Sequence, residues 1–286
     1  MPISAISLEP DPPEAEPGFL AKLQSSAADV ADGFGDWAIF AFRAVTGLPT
    51  RQWKWNEYFR SAFDVGYSSV AVVAVTGLFI GMVLAVQTYT QFHAVGLDTS
   101  IGAIIHMSVV RELGPVLAAV MLAGRIGTAM AAQLGTMRVT EQIDALSCLG
   151  VDPVRFLVTP RVLACITAIP LLTILADLMG VVGSTFICLG VFRIDEYHYW
   201  RHTENFVKIF DVCVGLTKSI LFGGALCLIT CHRGFRSRAG AEGVGRAATE
   251  GFVISFVAII FLDFLMAMLT NTVHGWLYSS IGPRLA

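Results

Sequence analysis

The chain has 286 residues, 55% of them hydrophobic and only 14% charged, with a mean hydropathy of +0.68. A soluble domain carries about 25% charged and 45–50% apolar residues, so a water-soluble fold is excluded and an integral membrane protein is the direct reading. The net charge of −3 and the pI of ≈ 6.1 exclude a globally basic nucleic-acid binder.

Residues 1–18 hold five of the eleven prolines together with Glu9, Asp11, Glu14 and Glu16. They offer neither a basic n-region nor an apolar h-region, so no cleavable signal is expected, and 1–19 reads as a disordered Pro/Glu-rich leader. The stretch 34–48 is apolar but short, interrupted by Asp36 and Arg43, and it meets Pro49 and the basic aromatic segment RQWKW at 51–55. Fifteen residues make a helix of roughly 22 Å, too short for a hydrocarbon core of about 30 Å. Aromatic rings beside Lys and Arg belong at headgroup level, so 20–60 is expected to form an interfacial helical region.

Residues 61–286 are expected to carry five spans. The first, 65–89, is uncharged and contains Gly77-x3-Gly81, a spacing that allows close helix packing. The second, 101–135, is too long for one perpendicular crossing and is divided by Gly114-Pro115. The third, 162–192, contains Pro170 and Asp177; the fourth and fifth run over about 209–231 and 251–273. The fold class is thus all-α integral membrane: an N-terminal interfacial helix plus five transmembrane helices. Twelve Lys and Arg residues lie in 20–60, 136–161 and 232–250, against four in 90–100, 193–208 and the C-terminal end. The excess puts the first group and the N-terminus in the cytoplasm, and five spans then put the C-terminus outside.

Six charged residues remain inside the predicted spans: Arg111, Arg125 and Lys218, and Glu112, Asp177 and Asp263. Each costs about 2.5–3.5 kcal/mol at a helix centre on insertion scales. They must pair, lie near helix ends or face a polar chamber. Arg125 and Asp177 fit interhelical ion pairs best. Arg111-Glu112, beside Gly114-Pro115, fits a chamber better, because neighbours on a helix point about 100° apart.

The familiar catalytic and nucleotide motifs give nothing. There is no GxxxxGK[ST] loop, no GxSxG elbow and no HExxH. Gly243 to Ala248 imitates a dinucleotide fingerprint without a preceding strand. Cys227-x3-Cys231-His232 and His198-x3-His202 lack further ligands at matching spacing, so no metal and no cofactor is expected. The connection GTMRVTEQIDALSCLGVDPVRFLVTPR (135–161) is more informative. Thr140 can cap a short amphipathic helix, Gly150 can end it and Pro153 forbids its continuation. Such a helix between two spans is a handle for a soluble partner, or else a simple interfacial turn.

The stretch VRELGPVLAAVMLAGRIGTAMAAQLGTMRVTEQIDALSCLGVDPVRFLVTPRVLA (110–164) closely resembles the MlaE/YrbE permeases, the membrane subunits of ABC lipid transporters that work with MCE proteins. GLTKSILFGG (215–224) and CHRGFRSRAGAEGVGRAATE (231–250) extend the resemblance, which covers roughly 60–270. It implies a non-catalytic, multi-pass homodimer in the bacterial inner membrane. A cytoplasmic ABC ATPase docks on the coupling helix and a periplasmic MCE-domain protein sits outside; a STAS-domain protein joins in some systems. Phospholipid or a related lipid binds in a chamber at the dimer interface. By motif position, Arg111, Glu112, Lys218 and Asp263 belong to that chamber. Arg138, Glu141, Gln142 and Asp144 belong to the coupling helix. Three rival readings remain: an autonomous secondary transporter using Asp177 or Asp263 as a proton relay, a structural anchor for an MCE protein, and a membrane enzyme.

Overall fold

The structure is a computed structural model, and it describes residues 19–47, 55–94, 96 and 100–281, with the side chains of 19–30 and 273–281 left aside. Residues 1–18 of the expected leader, the segment 51–54 of RQWKW and the last five residues lie outside the described residues, and Phe19, its last residue, begins the first helix. The chain falls into two compact units, 1–39 and 40–286.

Every regular element among the described residues is helical. α1 (Phe19–Thr46) is longer than its apolar part, because good helix formers such as Ala, Leu and Gln extend it upstream of Phe34. α2 (Trp55–Gly66) runs through the 3-10 turn Tyr67–Ser69 into α3 (Val70–His93), so the first span is the far end of a 39-residue helical segment. The second segment, also 39 residues, comprises α4 (Ile101–Ser108), α5 (Gly114–Leu122) and α6 (Thr128–Val139), joined by π-turns at Val109–Leu113 and Ala123–Gly127. α7 (Gln142–Cys148) is short. A π-turn at Val154–Val158 leads into α8 (Thr159–Thr185), and another follows at Phe186–Val191. α9 (Glu196–Phe206) bridges to α10 (Ile209–Phe235), and α11 (Gly240–Ile281) closes the chain.

Five helical segments are long and apolar enough to cross a membrane. The protein is therefore multi-pass. Gly114-Pro115 does not break the second of them; the π-turn absorbs the proline instead. Gly243–Ala248 sits inside α11, where a phosphate loop cannot form.

Small residues set the helix spacing. A Cβ at Gly77 would lie 2.7 Å from the Ala176 carbonyl oxygen, and one at Gly81 would overlap the Gly180 backbone, so α3 and α8 pack backbone to backbone. Around this contact Leu122, Ile169, Phe222, Leu226 and Ile259 form the main core. A second cluster, of Ile101, Ile105, Val109 and Tyr199, lies under α9. Within residues 40–286 the end of α1 is anchored by Ala44, fully buried, whose carbonyl accepts from Thr159 Oγ1 at 3.1 Å. The outer faces of α3 and α11 expose Val75, Phe79, Val83, Phe261, Phe264 and Met268. Such a surface is stable where hydrocarbon replaces water as the solvent.

Candidate functional site

The site begins with a proline. Pro115 has no N–H to donate, and in a regular helix its ring would press on the carbonyl of residue 111. The chain widens just before it: Gly114 N–H reaches back five residues to the Val109 carbonyl. This π-turn carries Arg111 and Glu112. Two close approaches brace it. Gly215 of α10 lies against the Val110 carbonyl, and the space left by the missing side chain of Gly114 is filled by the carboxyl group of Asp177 from α8. π-turns of this kind recur at functional positions.

Three helices meet at Lys218. Its side chain, on α10, is fully buried; Nζ donates to Glu112 Oε2 and, at 2.8 Å, to Asp263 Oδ1 of α11. The carboxylates stand in front of it, with side chains 41% and 23% exposed. Arg111 turns the other way. Its guanidinium lies 3.9 Å from Asp211 Oδ1 and donates to Asn271 Oδ1 at 3.0 Å, and its side chain is 23% exposed. Asp211 has a second duty, since its Oδ2 accepts from the Lys208 backbone N–H at 3.0 Å and caps α10. The four chamber residues singled out in the sequence therefore divide: Glu112, Lys218 and Asp263 form one cluster, and Arg111 joins Asp211 and Asn271 beside it. Asp211 and Asn271 escape the sequence reading. The capping pattern of Asp211 three residues after Lys208 was the available signal; Asn271 has none.

The remaining span charges behave differently from the ion pairs expected of them. Arg125, in the second π-turn, is exposed, and Asp177 Oδ1 is buried without a hydrogen-bond partner among the described residues. A shallow apolar groove lined by Val73, Ile80, Leu117 and Met121 also touches Gly114. Near α9, His106 Nε2 meets the hydroxyls of Tyr199 at 3.1 Å and Ser184 at 3.2 Å, all three side chains buried. Burial pushes the Tyr199 phenol up to about 12. His198 lies 3.6 Å from Asp195.

The connection between the second and third segments forms a short helix, but Thr140 does not cap it. Thr140 Oγ1 donates back to the Thr136 carbonyl at 2.8 Å, and the helix starts from Glu141, held in the left-handed region at φ 58. Arg138 bridges to Asp144 Oδ1 at 2.5 Å across the turn, and Gln142 Nε2 donates to Thr140 Oγ1 at 3.0 Å. Ile143 anchors α7 inward while Leu149, 77% exposed, points away. Gly150 leaves the helix at φ +75.

Comparison with known proteins gives a consistent result. Residues 58–269 match the family model described as Permease MlaE. The chain is 39% identical over 241 residues to a "Probable ABC transporter permease protein" of Rickettsia felis, covering 84% of this chain and 92% of that one. It is 35% identical over 213 residues to "Protein TRIGALACTOSYLDIACYLGLYCEROL 1, chloroplastic" of Arabidopsis thaliana, covering 74% and 61%. It is 30% identical over 249 residues to the "Intermembrane phospholipid transport system permease protein MlaE" of Haemophilus influenzae, covering 87% and 95%.

Proposed function

The chain belongs to the MlaE permease family, and from that premise we propose that it is the membrane subunit of an ABC transporter that moves phospholipid or a related lipid between the inner membrane and an MCE-protein partner. A separate ATPase subunit powers it, and this chain contributes no covalent chemistry. Two copies form a homodimer with the lipid chamber between them. The N-terminus and α7 face the cytoplasm, and the C-terminus faces the periplasm, as the twelve-to-four bias of basic residues supports.

One observation carries this reading: a fully buried lysine held by two partly exposed carboxylates in the middle of otherwise apolar spans. Charges at such depth are expensive and mark substrate pathways. In the working cycle Arg111, Glu112 and Asp263 receive the lipid headgroup, Lys218 holds the two carboxylates from its buried position behind them, and apolar walls hold the acyl chains. Each α7, with Arg138, Glu141, Gln142 and Asp144, docks on an ATPase subunit. ATP binding draws the two α7 helices together and the dimer rearranges around the chamber.

The test begins with gentle purification of the tagged chain from its native membrane and mass spectrometry of what stays bound. The expected result is a stoichiometric ATPase, an MCE protein and phospholipid; a STAS-domain protein would make a further subunit. Glu112→Gln and Lys218→Ala should then lower lipid transport in the reconstituted assembly while leaving dimer and ATPase association intact. Normal transport by both variants would remove the cluster from the headgroup site. Substrate movement by the lone chain would favour an autonomous transporter.

A further inference from the structure

The two ion-paired groups at the π-turn do not balance in formal charge, and the buried Asp177 carboxyl beside Gly114 brings no cation to them. Lys218 is shared by Glu112 and Asp263, and Arg111 faces Asp211, so two cations meet three carboxylates and one negative charge is left over. The excess has a definite location. Lys218 is fully buried and already bonded to both its carboxylates, which leaves it no free approach for a ligand. Glu112 and Asp263, by contrast, present partly exposed carboxylates. Asp211, at 10% side-chain exposure, is withdrawn between Arg111 and the start of α10. The accessible surface of the cluster is therefore acidic on one side, and on the other it offers the partly exposed guanidinium of Arg111.

We propose that this arrangement is a dipolar receptor for a zwitterionic glycerophospholipid headgroup: Arg111 takes the phosphate, and the Glu112–Asp263 edge takes the ammonium. The proposal rests on the reading of this cluster as the headgroup site and names the lipid class it selects. An uncompensated carboxylate within a membrane span is costly; a zwitterion gives it an ammonium partner, places its phosphate on Arg111 and leaves the net charge unchanged, whereas an anionic headgroup adds a second negative charge to the first. Like-charge juxtaposition is an effective means of rejecting a wrong partner. The order of the two residues on the chain suits the ligand, because adjacent side chains on the π-turn diverge and address two separate charges of one headgroup.

The experiment uses the full-length chain in detergent micelles doped with equal amounts of phosphatidylethanolamine and phosphatidylglycerol of identical acyl chains, with bound lipid read by native mass spectrometry. Wild type should retain phosphatidylethanolamine over phosphatidylglycerol by roughly tenfold, as expected where one like-charge contact opposes the wrong headgroup. Glu112→Gln should bring the ratio close to one. Asp263→Asn makes the same change of charge from another helix and should do the same, which guards against a folding defect in either variant. Arg111→Gln should lower retention of both lipids together. Equal retention by wild type, or a preference for phosphatidylglycerol, overturns the zwitterion assignment; a cation from a second copy compensating the carboxylates predicts equal retention. If none of the three substitutions alters retention of either lipid, the cluster is not the headgroup site, and the underlying reading fails with the proposal.

Discussion

Asp177 of α8 fills the space that Gly114 leaves on the second span, immediately after the π-turn that carries Arg111 and Glu112. The absence of a side chain at 114 and the presence of a carboxyl at 177 are thus one feature, formed by residues 63 positions apart. Gly114→Ala forces a methyl group into that carboxyl and should destabilise the protein by about 1–3 kcal/mol, the usual cost of overpacking. The measurement is the thermal midpoint of the purified chain in detergent. Gly114→Ala with Asp177→Ala should recover much of the loss, because the two residues share one volume. A single Gly114→Ala variant that melts like wild type would refute the arrangement.

Lys218 serves two carboxylates from a fully buried position. Lys218→Ala leaves both of them without their shared cation and should lower the thermal midpoint, by less than the ~3–5 kcal/mol that a fully buried orphaned charge costs, because the two carboxylates are partly exposed. Adding Glu112→Gln and Asp263→Asn to Lys218→Ala should restore much of the stability without restoring lipid transport. Thermal unfolding and a vesicle transport assay, run on the same preparations, separate the two effects.

Glu141 starts α7 from a left-handed conformation that costs a non-glycine residue about 1–2 kcal/mol. Glu141→Gly should relieve that strain and raise the thermal midpoint. Glu141→Lys retains the strain and reverses the charge on α7; under the proposed function it should reduce co-purification of an ATPase subunit without changing the oligomeric state of the chain. If the ATPase binds the Lys variant undiminished, Glu141 lies outside the contact.

Tyr199 secures α9 to α4 through His106, whose Nε2 also meets the Ser184 hydroxyl of α8. Burial raises its phenol from the ordinary 10.0 to about 12 in the folded chain. Between those values the folded state holds a proton that the unfolded state has released, so stability is complete below pH 10 and falls as the pH rises towards 12. Tyr199→Phe should flatten that alkaline decline and, by losing the hydrogen bond, cost about 1 kcal/mol at neutral pH. Unfolding curves at a series of pH values from about 8 to roughly 12 test both statements.

Composition and hydropathy alone determine that this protein is a multi-pass helical membrane protein with five apolar crossings, because a span must satisfy its own backbone hydrogen bonds within some twenty consecutive apolar residues. That property is local, and so is the short helix between the second and third segments, bounded by Gly150 and Pro153. The long motifs at 110–164 and 215–224 also point to the permease family from the sequence, and the intramembrane charges announce themselves by their cost. What the sequence leaves open is which charge meets which. Lys218 is 106 positions from Glu112 and 45 from Asp263, and only the packing of α10 against the π-turn, allowed by Gly215, brings them to one point. The same packing assigns Arg111 to Asp211 and Asn271, and among the described residues it leaves Arg125 and Asp177 out of the ion pairs their charges suggested. Pairing across helices depends on crossing and rotation, which small residues on the facing helix decide, and no property of a single segment contains that information.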